Sequence, residues 1–539
     1  MTRSAVAGTA ELARLDLRRD RLMLPVWVYV VTIGVASNAY GLGHLYATAA
    51  ARATFAASSG HNPSLLFLYG RFPAGPVTLG VISSWRYGVW AALFAALMNV
   101  FVVIRHTRAD EEPGRGELVG SAAVGRLAGL TAALVTALAA NVTLAVLMVV
   151  VLVVLGLPAA GSVAFALAVT CCGLAFAGIA AVTAQLAEGA RTARGIAIGV
   201  LGAAFLLRAV GDASGAGGPS WLSWLSPLGW AEFVFPYSQP RWLVLALLLA
   251  LAAASVAAAF ALAGRRDYGA GLLPARPGPP RAPVWLRGPL GLAWQLQRGT
   301  LAAWTGGFAV IFAASGAAAQ GIGSLLGGSA QLRQAFTRLG GHAGITNAYL
   351  AAIMSLAGLA AAAYATSAVL RLRSEETEGR ADPVLATSAG RLRWAFSHLT
   401  VAVAGTAGLL AIGGCAAGLG YGLRAGAVGT QVPRLLGAAL VQLPAALAVA
   451  AVAVAAFGLL PRAAVAGSWA VVGVVLAVDL FGQVLQLPGW LVGVSPFSHV
   501  PRLPGVPLTP ALGALAWLVL AAAVLAAVGL GGLRVRDVG

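Results

Sequence analysis

The sequence predicts an all-α polytopic membrane protein of twelve transmembrane helices, arranged as two parallel six-helix repeats. Three observations carry that prediction. Hydrophobic residues make up 59% of the 539-residue chain and charged residues only 10%, too little polar material to clothe water-soluble domains of that total size. Apolar runs of about 20 residues, the length that crosses about 30 Å of hydrocarbon, recur from residue 22 to residue 532. They are continuous Ala, Val, Leu and Gly stretches, without the alternation that lumen-lining barrel strands require.

Taken in order, the spans are predicted near residues 22–43, 80–104, 127–155, 161–186, 195–211 and 241–264, then 301–319, 347–370, 395–420, 436–460, 466–485 and 511–532. The first run follows Glu11, Asp16, Asp20 and five arginines, and is too long and too aromatic (Trp27, Tyr29, Tyr40) for a cleaved leader. It is therefore expected to remain as a span. Residues 11–21 and 289–299 mix leucine or tryptophan with arginine and glutamine, which predicts an interfacial helix ahead of each half. Residues 265–288 are rich in proline, glycine and arginine and cannot continue a helix. They are predicted as a cytoplasmic linker, its arginines resting on anionic headgroups, between a first half at 1–264 and a second at 289–539.

The chain contains no lysine, so all 35 basic residues are arginine. A GxxxxGK[ST] loop needs a lysine on the nucleotide phosphates, which excludes a P-loop ATPase. Of the arginines, 25 fall in the two tails and one set of loops, which predicts that both termini are cytoplasmic. Of the 17 acidic residues, 14 lie on that same side, leaving Asp212, Glu232 and Asp479. Cys171, Cys172 and Cys415 lie in apolar runs without metal spacing, and the six histidines (His44, His61, His106, His342, His398, His499) are scattered. No metal site is predicted.

The halves read as copies. At a constant offset of 265, Arg108 meets Arg373, Asp110 meets Glu375, Glu111 meets Glu376, Gly114 and Arg115 meet Gly379 and Arg380, Glu117 meets Asp382, and Gly125–Leu127 meets Gly390–Leu392. At an offset of 269, Pro219–Leu222 and Ser226–Pro227 parallel Pro488–Leu491 and Ser495–Pro496. Each copy has its charged loop between its second and third spans on one side, so the repeat is parallel. A single such loop would be an ordinary solvated turn. Two copies imply two equivalent cytoplasmic surfaces for two equivalent partners, with Glu375, Glu376, Arg380 and Asp382 presented to a groove of a soluble subunit.

Inside the spans, Asp479 is costly at about 2.5–3.5 kcal/mol against a few tenths gained per Val or Leu, which makes Asp479, Gln483 one turn on and Arg208 candidates for the translocation path. A cross-axis Asp479–Arg208 pair is one hypothesis; the plainer alternative, favoured for Arg208, is that both lie near the outer headgroups. Trp221, Pro227, Trp490 and Pro496 are outer-gate candidates or, more plainly, interfacial turns. Arg86 beside Trp85 reads as an interfacial anchor, and Gly195–Gly199 has GxxxG spacing.

The stretch EETEGRADPVLATSAGRLRW from Glu375, the RRDRLMLPVWVY start from Arg18 and the RRDYGAGLLPARPGP linker resemble the ABC-2 type permeases, and in particular actinobacterial exporters of polyketide antibiotics and other drugs. The likeness covers essentially the whole chain; the first-half loop is more diverged, with no threonine at Ala122. It implies a bacterial plasma-membrane permease that binds no cofactor itself. Two copies of a separate ATPase subunit, carrying ATP and Mg, would dock on the two charged loops and drive hydrophobic or amphipathic drugs outward. Arg108, Asp110, Glu111, Gly114, Arg115 and Glu117, and Arg373, Glu375, Glu376, Gly379, Arg380 and Asp382, are the implied coupling residues. A proton-coupled secondary transporter would need ionisable relays in the spans, where Asp479 is nearly alone. A lipid-modifying enzyme would need a catalytic cluster at one interface, and no such cluster is visible.

Overall fold

The computed structural model describes residues 3–60, 62–112, 124–214, 220–267, 269–273, 281, 283–286, 288–325, 341–481, 488–505 and 509–536. Every regular element among them is helical. Eleven helices are long and apolar enough to cross a membrane, and Ala464–Leu480 is a shorter apolar one. The chain separates into two compact units, Met1–Gly278 and Pro279–Gly539, and the boundary falls in the proline-rich stretch.

In the first unit α1 (Thr9–Arg19) lies ahead of the first span α2 (Met23–Leu45). Two short helices, α3 (Ala49–Ser59) and α4 (Pro63–Tyr69), lead to the second span α5 (Leu79–Arg105), which ends in the single turn α6 (Arg108–Glu111). The third, fourth and fifth spans are α7 (Ala128–Val154), α8 (Ala159–Leu186) and α9 (Ala190–Ala213). A 3-10 turn at Ser220–Leu225 and α10 (Pro227–Phe233) precede the sixth span, α11 (Trp242–Ala263).

Helix α8 is the hub, packed by α5, α7 and α11. Its small residues allow this: a Cβ on Gly178 would lie 2.8 Å from Ser255 Cβ and 3.0 Å from the Ala252 carbonyl. By contrast α7 turns Val135, Leu138, Val142 and Val146 outward at helical spacing, an apolar exterior suited to lipid. Gly195 and Gly199 meet nothing within 4 Å, so their GxxxG spacing marks no close approach in this unit.

The second unit opens with α12 (Pro289–Leu325). The interfacial helix expected at 289–299 is thus not separate; with no proline after Pro289 to break it, the apolar run simply extends backward as one rod. The second span α13 (Gly341–Thr377) also overruns its apolar stretch and is followed by the five-residue α14 (Ala381–Leu385). Then come α15 (Arg391–Ala425), α16 (Val428–Leu440) and α17 (Leu443–Leu459). The span expected at 436–460 begins at Val428 and is interrupted near Gln442, where Pro444 withholds a backbone donor. Last are α18 (Ala464–Phe481), α19 (Gly489–Val492) and α20 (Leu512–Val535).

Here glycines carry the packing. Gly414, Gly418 and Gly422 of α15 lie against the backbone of α16 at Leu436, Val432 and Val428, and Gly458 of α17 against Gly529 of α20. Such approaches replace the hydrophobic drive that lipid cannot supply.

Candidate functional site

Past the apolar part of α13, the helix continues because charges on adjacent turns pair. Arg371 reaches Glu375 at 2.6 Å and Arg373 reaches Glu376 at 3.0 Å, the i,i+4 and i,i+3 spacings. Both glutamates are buried. Gly379 then takes a positive φ of 66°, a turn that suits glycine, and Arg380 folds back to donate to Glu375 at 2.9 and 3.1 Å and to Glu378. Asp382, Pro383, Ala386, Thr387 and Ser388 are left exposed around α14, beside a groove of about 500 Å³ lined by Asp382 to Arg391.

A further arginine closes the arrangement. Arg536, just beyond the sixth span, donates to Glu376 at 2.9 Å and lies over the Phe457 ring at 4.7 Å. Arg391, at the start of the third span, donates to the Arg536 carbonyl at 2.8 Å.

The first unit builds the same figure. Arg108, fully buried, donates to Glu111 at 2.6 Å; Arg266, just beyond the sixth span, donates to Glu111 at 2.6 and 2.8 Å. Arg126 donates to the Arg266 carbonyl at 2.7 Å. Asp110 is held by Arg19 of α1 at 2.6 and 2.8 Å, and Glu112 accepts from the Ala190 amide. Gly114, Arg115 and Glu117 lie outside the described residues.

These placements correct one expectation. Glu375 and Glu376 are not offered to a partner beside Arg380 and Asp382. They face inward, each carboxylate engaged by two guanidiniums, Glu375 by Arg371 and Arg380 and Glu376 by Arg373 and Arg536. The exposed surface is Arg380, Asp382 and the residues after them.

Next to Asp110, His106 is buried with Nδ1 3.0 Å from Asp16 and Nε2 2.6 Å from Asp20, while Arg105 is 3.0 Å from Asp20. Asp16, His106 and Asp110 place ligand atoms within 4.8 Å of one another. Arg19 engages both Asp110 oxygens and so competes with any cation there.

A second group of buried charges lies at the other end of the first unit. Arg208 of α9 is fully buried, donates to the Phe67 carbonyl at 2.9 Å, and has Asp212 at 3.7 Å and Glu232 at 4.0 Å. Asp212 accepts from Ser223 at 2.6 Å and Arg71 at 3.1 Å, and Glu232 accepts from the Arg71 amide. Burial, reinforced by neighbouring Asp212, pushes the Glu232 carboxyl well above its ordinary value. Gly70, at φ 94°, makes room for it: a Cβ there would lie 2.2 Å from the carboxyl.

In the second unit Asp479 accepts from Ser495 at 2.7 Å. Arg208 and Asp479 each have polar partners inside their own unit. Gln483 lies outside the described residues. Trp221 and Trp490 are exposed, at 61% and 73%, and Pro227 and Pro496 each open a short helix capped by the preceding serine, Ser226 or Ser495.

Residues 286–534 match the family described as the multidrug efflux system permease Rv1217c, C-terminal domain. Over 536 residues the chain is 42% identical to the multidrug efflux system permease protein Rv1217c of Mycobacterium tuberculosis, covering 99% of this chain and 96% of that relative. The chain belongs to this family of multidrug efflux permeases. It is a multi-pass membrane transport protein, and the charges above are those of a permease.

Several of the permease's paired polar groups escaped the sequence reading. Arg266 and Arg536 stand an offset of 270 apart, five residues out of step with the loop alignment; aligning the ends of the two halves would have found them. Arg71, His106 and the Asn99–Asn141 amide pair, joined at 2.8 Å across α5 and α7, carry no periodic signal.

Proposed function

We propose that this permease is the transmembrane subunit of an ATP-driven exporter of hydrophobic or amphipathic drugs, antibiotics among them. In this reading twelve spans form two parallel six-helix halves, 1–264 and 289–539 joined by the 265–288 linker, with the short α18 as the eleventh span. Two copies of a separate ATPase, carrying ATP and Mg, engage the loops between the second and third spans. The observation that carries the reading is α14: a short exposed helix with Asp382 outward, seated on a stem whose own acids are internally paired. Such a surface suits a soluble partner's groove, with the exposed charges setting register. The lysine-free sequence agrees, since this chain cannot supply a P-loop lysine.

The test is co-purification with the candidate ATPase followed by drug-stimulated hydrolysis. Drug should stimulate ATP turnover only in the complex, and Asp382→Arg should weaken co-elution by about tenfold, the equivalent of about 1.4 kcal/mol. Efflux that survives ATP depletion while a proton gradient is maintained would instead support a proton-coupled secondary transporter.

A further inference from the structure

The figure repeated in the two units has four members. In the first, Glu111 is held by Arg108 three residues earlier and by Arg266 beyond the sixth span, while Arg126 at the third span holds the Arg266 carbonyl. In the second, Glu376 is held by Arg373 three residues earlier and by Arg536 beyond the sixth span, while Arg391 holds the Arg536 carbonyl. We propose that each figure is a bracket that locks the cytoplasmic end of the sixth span to the base of the loop between spans two and three, so that a load on the loop moves the sixth span with it. This deepens the proposed function and rests on it, assigning positioning roles to Arg266, Arg536, Arg126 and Arg391.

Three features argue for a joint rather than incidental pairing. Arg266 and Arg536 lie outside the ungapped loop alignment, so their recurrence is independent of it. Neighbouring chemistry is not repeated: His106 in the first unit stands where the second has Arg371, yet the bracket is kept. Moreover, Arg126 and Arg391 bind backbone oxygen, which fixes the helix end whatever side chain it bears. Buried ion pairs are seldom the most stable packing, but they do specify register. In the second unit the sixth span is otherwise held mainly by α17 against α20, a contact that ends at the bracket, where the Phe457 ring lies under Arg536.

The test uses the complete permease with its ATPase in proteoliposomes and reads drug moved per ATP hydrolysed. Glu376→Gln and Arg536→Met are each expected to lower that ratio at least fivefold while hydrolysis continues, and Arg536→Lys, which keeps the charge, to hold it within twofold of wild type. If Arg536→Lys uncouples as fully as Arg536→Met, or if neither Glu376→Gln nor Arg536→Met changes the ratio, the bracket is not the joint. A second arm needs no ATPase. With Cys171, Cys172 and Cys415 replaced by alanine, spin labels at Ser388 and Val528 should report one narrow distance, broadened by Arg536→Met or Glu376→Gln; an unchanged distribution in both overturns the proposal. Failure of the wild-type complex to hydrolyse ATP in response to drug would sink the ATPase reading instead, and the spin-label arm would still judge the bracket.

Discussion

Arg208 is fully buried and is balanced by Asp212, with Arg71 also on Asp212 and the Glu232 carboxyl, which burial favours in its protonated form, completing the group. Removing one partner of such a group leaves the opposite charges buried without compensation, a loss of about 3–5 kcal/mol. Arg208→Met should therefore lower the melting temperature of the detergent-solubilised permease sharply; a melting temperature within a degree or so of wild type would mean that water reaches Asp212 and Glu232 after all. Glu232 adds a pH dependence of definite sign. Its folded-state value is raised above the ordinary 4.5, so the fold favours the protonated form. That contribution is fully present below about pH 4.5 and is lost as pH rises through the folded value. Glu232→Gln keeps a carbonyl for the Arg71 amide and should flatten the melting temperature against pH above 4.5, whereas a parallel curve would exclude Glu232 as the titrating group. From the sequence, Asp212 and Glu232 were visible only as acids on the wrong side of the charge tally. Their assembly with Arg208 depends on α4 and α10 folding over the fifth span, and no spacing encodes that.

Helices are where the sequence spoke most clearly, because hydrocarbon demands length and apolarity. Eleven of the predicted runs fall on membrane-long helical stretches and the run at 466–485 begins on the shorter α18, yet three boundaries moved for local reasons: α12 had no breaker after Pro289, α13 was prolonged by the pairs Arg371–Glu375 and Arg373–Glu376, and the α16–α17 break follows from Pro444. Which glycines are structural was not legible, since 69 of them offer many GxxxG spacings. The structure separates them. A Cβ on Gly458 would lie 1.9 Å from the Gly529 carbonyl, whereas Gly473 of α18 meets nothing within 4 Å. Gly458→Ala should cost about 1–3 kcal/mol, as overpacking does, and Gly473→Ala should be neutral or slightly stabilising, since alanine is the better helix former. Thermal scans of the two variants decide it: equal melting temperatures would mean that α17 and α20 do not approach through Gly458.

At the scale of the whole molecule, arginine placement argues that Arg105, Arg108, Arg126, Arg266, Arg373, Arg391 and Arg536 all lie on one side of the membrane. Ion pairs and carbonyl contacts of Arg126, Arg266, Arg391 and Arg536 join helix ends within each unit. Because guanidinium stays charged across the accessible pH range, the bias does not weaken with pH as a histidine-based one would. A single cysteine at exposed Ser388, in a background with Cys171, Cys172 and Cys415 replaced, should react with a membrane-impermeant maleimide in inside-out vesicles and stay unlabelled in intact cells. A cysteine replacing exposed Trp221 or Trp490 should show the opposite pattern. Labelling of Ser388→Cys from outside would invert the topology, move α14 away from any cytosolic ATPase, and leave the paired loops without the partner proposed for them.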